Sequence, residues 1–172
     1  AGLDGYLNHR GVIAVCAVDH RGRQPSYGEP GANLLVCGPT SDTLESSAIT
    51  TAGQRNEYRN DFGGTSASVP MVSGVVALML AANPNLTWRD VRLILAQTAR
   101  RNDSADPGWL PAAGGLAFNH KYGFGVADAD AAVAAARTWS SVGGSSALRS
   151  CGPYARSPNL QLPDATGSLL TP

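Results

Sequence analysis

The sequence carries little charge and no excess of either sign. Asp plus Glu and Lys plus Arg number 13 each, so the formal net charge at pH 7 is zero, and charged residues make up only 15% of the chain. No basic run is interleaved with aromatic residues, so the electrostatic signature of a nucleic-acid partner is missing. With 43% hydrophobic residues among 172, the composition indicates one compact globular domain with a core.

Long apolar runs and clustered cysteines are missing too. The longest uninterrupted apolar run, residues 75–82, is too short to cross a bilayer, so we expect no membrane segment in this chain. The three cysteines stand far apart, and no C-x-x-C pair indicates a metal site. Cys16 lies inside an apolar run, which favours a buried free thiol; the alternative is a disulfide to a partner outside this chain.

The beginning of the chain has neither an initiator methionine nor the pattern of a signal peptide. We therefore interpret the sequence as an internal piece of a longer protein. The missing targeting signal then says nothing about where the whole protein goes.

What the sequence does contain is the pattern of an α/β fold. The β-branched apolar run at residues 11–18 predicts a strand buried on both faces, as in a parallel sheet, and residues 33–37 predict a second strand. Residues 39–64 are polar and predict a loop or an exposed hairpin. Residues 100–118 are rich in Gly, Pro, Asn and Asp and predict a surface loop.

Three helices follow from the remaining segments. Residues 66–82 are apolar on nearly every side, which predicts a central buried helix and not a surface one. A second helix starts at Thr87, where Thr87 and Asp90 approximate a capping box. A third is predicted over residues 128–137, with acids in its first turn and Arg137 at its end, as suits the helix dipole.

Ser66 is the first residue whose chemistry needs an explanation. A serine hydroxyl becomes a nucleophile only when a base removes its proton. Gly63 and Gly64 before it allow a close backbone approach, and the N–H groups and dipole of a helix N-terminus favour a developing oxyanion. The alternative is that Ser66 is simply the N-cap of an apolar helix. The residues alone leave both interpretations open.

Several motifs resemble those of one protein family. The heptapeptide GTSASVP at residues 64–70 resembles the G-T-S-A-x-x-P serine motif of the subtilase family of serine proteases. Four further segments resemble the kexin and furin branch of this family. They are LTWRDV at residues 86–91, HKYGFGVADAD at 120–130 with Trp139 following, DGY at 4–6 and YGE at 27–29. The resemblance extends in order over residues 3–142.

The resemblance implies a domain organisation. Residues 1–142 would be the C-terminal portion of a subtilisin-like peptidase domain, an α/β fold with a doubly wound parallel sheet and a buried serine-bearing helix. Residues 143–156 would be a linker, and residues 157–172 the opening of the β-rich P domain, also called Homo B, cut short at the end of the chain.

The resemblance also implies roles for single residues. Ser66 takes the place of the nucleophile, with Gly64 and Thr65 in the loop beside it. Asp4 falls where this branch carries the acid of the primary specificity pocket, which implies cleavage after Arg or Lys; the alternative is a solvated turn residue. Glu29 falls on a structural calcium ligand of the family; the alternative is an exposed loop carboxylate.

The other parts of the family's catalytic site do not match this chain. The triad Asp and His, and an oxyanion Asn, precede the serine in sequence that is not present here. His9, His20 and His120 do not fall on the catalytic position. We therefore expect an isolated chain that is essentially inactive, because no base activates Ser66.

The chain would then depend on the remainder of its own catalytic domain, encoded upstream, to act on peptide or protein substrates. The parent would be a secreted, extracellular or periplasmic endopeptidase, as in the family. The alternative is a non-catalytic subtilase-like module that binds peptides or assembles with a partner. In isolation the apolar serine helix should have an uncovered face and associate or dissolve poorly.

Overall fold

The computed structural model describes residues 4–42 and 48–144. Four short strands precede two helices, and two very short strands and a third helix follow, so the described chain is a mixed α/β arrangement. The elements are β1 (Ala14–Val18), β2 (Leu34–Pro39), β3 (Ile49–Ala52), β4 (Tyr58–Phe62), α1 (Thr65–Ala82), α2 (Trp88–Thr98), β5 (Leu110–Pro111), β6 (Ala117–Phe118) and α3 (Ala129–Thr138).

The two predicted apolar strands form a parallel pair, β1 with β2. Both are buried along most of their length, as expected of parallel strands packed under helices. A third segment runs beside β2, because the Phe124 N–H donates to the Leu35 carbonyl and Val126 forms a parallel bridge with Cys37. Among the described residues, the parallel sheet thus amounts to two strands and this bridge.

Cys16 and Cys37 form a disulfide, so the expectation of a free thiol at Cys16 is wrong. The two residues are register partners on β1 and β2, with their Cα atoms 4.2 Å apart. The register of a parallel pair cannot be read from the sequence, because the run at residues 11–18 contains no signal that fixes which residue faces Cys37. The bond staples the two buried strands together.

Helix α1 packs on β1 and β2 and against α3. The prediction that it is buried on all sides is wrong for the described chain, in which 22% of its 18 residues are buried. Val72 and Met79 face the core, whereas Leu78 is 56% exposed. Apolar side chains project from all sides of this helix, but the described chain covers only one of these sides, as we expected for the isolated piece.

The length of α1 also corrects the estimate made from its apolar run. At 18 residues and with few polar side chains, the helix is long and apolar enough by composition to cross a membrane. Core helices of water-soluble proteins meet the same criterion. Its contacts with the parallel strands and α3 are those of a core helix.

Helix α2 begins with the capping box predicted from Thr87 and Asp90. The Asp90 carboxylate is fully buried and also accepts hydrogen bonds from Trp139 Nε1 (3.0 Å), Ser141 Oγ (2.7 Å) and the Val142 N–H (2.9 Å). Burial raises the pKa of Asp90, but the hydrogen bonds from Ser141, Thr87 and Val142 outweigh it and hold the pKa well below its usual range. The segment after α3 is thereby fastened to the start of α2.

The polar segments agree largely with their predictions. Residues 39–64 contain the antiparallel hairpin β3–β4, whose side chains are mostly exposed. Residues 100–118 form a loop with a minimal hairpin, β5–β6. Asp106 anchors this loop by contacts with Lys121 (2.7 Å) and Asn119 (3.0 Å), which lower its pKa to about 2. The third helix follows the prediction, with Asp128 as its N-cap.

Two of the sequence-based assignments lie outside the described residues. The proposed opening of a P domain at residues 157–172 is one of them. The other is nearly all of the proposed linker at residues 143–156, of which only Gly143 and Gly144 are described.

Candidate active site

Ser66 is the second residue of α1 and not its cap. The helix begins at Thr65, and Gly64 is the N-cap, with φ 77° and ψ 177° and no side-chain capping hydrogen bond. The interpretation of Ser66 as a helix cap is therefore wrong, because the left-handed φ before Thr65 is taken by a glycine and no side chain is available there. Ser66 is exposed, in the first turn of an 18-residue helix whose dipole favours negative charge.

The end of β2 packs directly on the segment that carries Ser66. A Cβ atom added at Gly63 would collide with Ser41 Oγ, and one at Gly38 would lie 2.6 Å from the Ser68 carbonyl oxygen. Ser68 is fully buried, and its hydroxyl donates to the Pro39 carbonyl at 3.2 Å. The two glycines let strand and helix approach more closely than larger residues would allow.

Thr40, at the end of β2, also contacts this segment. Its hydroxyl donates to the Gly64 carbonyl at 2.7 Å and lies 3.0 Å from the hydroxyl of Tyr27. Thr40 and Ser68 were not predicted, because residues 39–64 were expected to form a loop or an exposed hairpin and residues 66–82 a helix that is apolar on nearly every side. A buried serine inside an apolar helix was the one available signal, because such a hydroxyl needs an acceptor.

A cleft of about 520 Å³ opens next to the start of α1. One wall is the apolar strand β1, and the others are the turn near the N-terminus, the loop at residues 24–29 and the first turn of α1. Such a concave, mainly apolar site with a few polar groups suits a ligand side chain or a short peptide segment. The residues that line it include Tyr6, Leu7, Tyr27, Glu29, Thr65 and Val69.

Asp4 lies in the turn that leads to this cleft. Its Oδ1 accepts the N–H groups of Tyr6 (2.8 Å) and Leu7 (2.9 Å), and these two residues line the cleft. Asp4 itself is exposed and is not among the lining residues of the described chain. Both hydrogen bonds go to Oδ1, so Oδ2 remains open to a cation within the part of the chain that the structure describes.

Glu29 lines the cleft and is exposed. Within residues 4–42 and 48–144, no group of three or more acidic, histidine or cysteine side chains is arranged to hold a metal ion. Calcium takes six to eight oxygen ligands, and one carboxylate supplies at most two. The described residues therefore do not fit a calcium site by themselves.

Two of the histidines have other contacts. His9 Nδ1 accepts the N–H of Gly11 at 3.1 Å, and His120 packs edge-on against Phe118 with ring centroids 5.4 Å apart. In the described chain no hydrogen bond joins either of them to Ser66. His20 lies in the turn that follows Asp19. The geometry thus places Ser66 at a helix N-terminus, between Thr65 and Val69 of the cleft lining, and gives it no base from His9 or His120.

The sequence is similar to those of known serine proteases. The model of the subtilase family (Peptidase_S8) matches residues 6–125. The chain is 37% identical over 139 residues to proprotein convertase subtilisin/kexin type 5 of Rattus norvegicus, and 36% identical over 140 residues to kexin of Saccharomyces cerevisiae. Each match covers 81% of this chain, but only 8% and 17% of those relatives, so the chain spans a small part of their length.

Solved structures of serine proteases share the fold of this chain. A serine protease of Aeromonas sobria superposes with a TM-score of 0.69 at 23% identity, over 76% of this chain and 30% of that one. A protease from Pseudoalteromonas arctica PAMC 21717 gives a TM-score of 0.59 at 29% identity, over 77% of this chain and 38% of that one. The described α/β arrangement is thus shared with larger proteases.

Proposed function

Because the chain belongs to the subtilase family of serine proteases, we propose that it is the serine-bearing portion of an endopeptidase and that Ser66 is its nucleophile. The observation that carries the proposal is the position of Ser66. It is exposed in the first turn of α1, behind a left-handed glycine, and two residues of the same turn, Thr65 before it and Val69 three positions after it, line the cleft.

The chemistry expected at this position is acyl transfer. The Ser66 oxygen would attack the carbonyl carbon of a peptide bond, while a base outside the described residues takes its proton. The amide N–H of Ser66 has no acceptor within its own helix, because it belongs to the first turn, and it can therefore stabilise the oxyanion. The amine leaves with a proton, and water then hydrolyses the acyl-enzyme.

Specificity for Arg or Lys before the cleaved bond is the finer part of the proposal. Asp4 supports it through its Oδ2, which accepts no hydrogen bond from the described residues, and through its place in the turn that forms one wall of the cleft. A charge-assisted pair between this carboxylate and a guanidinium is stronger than a neutral hydrogen bond, and its bidentate geometry favours Arg. Glu29, on the same cleft, could supply one or two oxygens to a structural calcium ion whose other ligands come from elsewhere; no catalytic step depends on that ion.

The inactivity of the isolated chain is likewise a proposal. It is supported by the contacts that occupy His9 and His120, and by the small share of its relatives that the chain spans. The Cys16–Cys37 disulfide supports an oxidising compartment, as for a secreted, extracellular or periplasmic protein.

A non-catalytic module that assembles with a partner is the second candidate. The exposed apolar side of α1, with Leu78 56% and Val69 45% exposed, favours it. The same surface is also expected if an upstream part of the same peptidase domain covers it. Ser66 chemistry therefore decides between the two candidates.

Fluorophosphonate labelling tests the proposal, since this reagent reacts covalently with activated serines. The complete gene product should be labelled, Ser66→Ala should lose the label, and residues 1–172 alone should label at least a thousandfold more slowly. Ser73→Ala is the matched control, because Ser73 is an exposed serine of the same helix that bonds to the Val69 carbonyl. A complete protein that is not labelled, or is labelled equally after Ser66→Ala, would favour the assembly module.

A further inference from the structure

Thr40 is tied to the backbone that leads into Ser66. Its side chain is 3% exposed, and its hydroxyl donates to the Gly64 carbonyl oxygen at 2.7 Å. The same oxygen accepts the N–H of Ala67 at 3.0 Å, the first hydrogen bond of the helical turn that contains Ser66. Two donors from different elements thus fix the direction of one carbonyl.

That carbonyl belongs to a glycine, whose backbone rotates more easily than that of other residues. Gly64 has φ 77°, and glycine populates several backbone regions at similar cost. Rotation about its bonds would move the N–H of Thr65 and, with it, the hydroxyl and N–H of Ser66. The hydrogen bond from Thr40 opposes this rotation from outside the helix.

Tyr27 connects the same hydroxyl to the cleft. Its oxygen lies 3.0 Å from Thr40 Oγ1 and 2.7 Å from the Ser41 carbonyl, and the residue lines the cleft next to Thr65. The Tyr27 hydroxyl donates its single proton to the Ser41 carbonyl and the Thr40 hydroxyl donates its own to the Gly64 carbonyl, so the contact between the two hydroxyls is secondary to these bonds. Tyr27 therefore holds the backbone next to Thr40 and supports the position of Thr40 from the cleft wall.

We propose that Thr40 is a positioning residue for the nucleophile, holding the Gly64–Thr65 peptide so that Ser66 is aligned for attack, with Tyr27 as its support from the cleft wall. The proposal rests on the assignment of Ser66 as nucleophile. Thr40 is buried and is not among the residues that line the cleft, so its effect on Ser66 passes through the backbone. Its loss should slow the covalent step and leave reagent binding nearly unchanged, because a small misplacement of a nucleophile is costly while the cleft itself persists.

The test measures fluorophosphonate inactivation of the complete gene product at saturating reagent, which separates the rate of the covalent step from the apparent binding constant. Thr40→Val keeps the shape and removes the donor, and should lower the covalent rate about tenfold, with less than a twofold change in binding. Thr40→Ser restores the donor and should recover most of the rate. Tyr27→Phe should give a smaller loss, because the bond to Gly64 is kept.

Thr98→Val is the matched control. Its hydroxyl donates to the Ile94 carbonyl at the same 2.7 Å, but within α2. It should leave the covalent rate unchanged at a temperature well below both unfolding midpoints. The proposal is overturned if Thr40→Val reacts within twofold of Thr98→Val, or if Thr40→Ser fails to recover the rate. If Ser66→Ala is still labelled, the assignment of the nucleophile fails as well; if only Thr40→Val is neutral, Ser66 keeps its role.

Discussion

Ser66 and Asp90 occupy similar places in two successive helices, and the fold treats them in opposite ways. Both lie in the first turn, where unpaired N–H groups and the dipole favour negative charge. Asp90 is fully buried and accepts hydrogen bonds from four residues: Thr87, Trp139, Ser141 and Val142. Ser66 is exposed beside a cleft, and no described hydrogen bond occupies its hydroxyl.

The difference separates a group that holds the fold from one that is free to react. Burying a carboxylate costs free energy unless its oxygens accept hydrogen bonds. The Asp90 oxygens accept them both from the start of α2 and from the segment after α3. A hydroxyl that must attack a carbonyl cannot be tied down in the same way. At Ser66 the hydrogen bonds instead hold the preceding backbone, through Thr40 and Gly64. The free energy of unfolding of single variants should therefore differ strongly between the two residues.

The largest loss of stability is expected from Asp90→Ala. The change leaves the Trp139 indole N–H and the Val142 N–H without their acceptor in a buried site, and it removes the capping box. We expect the free energy of unfolding to fall by about 4 kcal/mol, measured by urea denaturation of the chain. Asp128→Ala is the control at another helix start, where one cap hydrogen bond to Ala131 is lost and about 1 kcal/mol is expected.

The contrast fails if the two aspartate variants lose the same amount of stability. In that case the contacts from Trp139, Ser141 and Val142 would contribute nothing beyond an ordinary cap. Ser66→Ala, which breaks no described hydrogen bond, should change the free energy of unfolding by under 0.5 kcal/mol.

The second prediction concerns the strands that support the serine helix. Replacing Cys16 and Cys37 together by alanine should lower the free energy of unfolding by about 3 kcal/mol, since the disulfide closes a loop between residues 21 positions apart. Dithiothreitol should destabilise the unmodified chain by a similar amount and leave the double variant unaffected. Mass spectrometry that finds both thiols free in the oxidised protein would contradict the pairing.

The sequence predicted the parts of the fold that depend on local patterns. The parallel strands, the Thr87–Asp90 capping box and the helix after Asp128 follow from apolar runs and helix-terminus chemistry, which act over a few residues. Polarity in the same way predicted a loop or an exposed hairpin within residues 39–64, and the structure forms a hairpin at residues 49–62. Each of these features needed no knowledge of what lies across the fold.

The parts that were wrong or missed depend on distant residues. The disulfide needs the register of β1 against β2, and the Thr40–Gly64 bond joins residues 24 positions apart. The one-sided burial of α1 depends on how much chain is present to cover it, which its apolar pattern cannot show. In the site, the position of Ser66 near a helix start was predictable, but its place as second helical residue behind a Gly64 cap was not.

The smallest effect on stability is expected on the open side of α1. Leu78 is 56% exposed while its neighbour Met79 is fully buried, so the two residues form a matched pair on one helix. Leu78→Ser should change the free energy of unfolding by under 0.5 kcal/mol, whereas Met79→Ala should cost about 3 kcal/mol. Because Leu78 belongs to an uncovered apolar face, Leu78→Ser should also reduce self-association of the isolated chain, measured by sedimentation. A loss above 2 kcal/mol for Leu78→Ser would show that this side of α1 is already covered, and the contrast between its two faces would not hold.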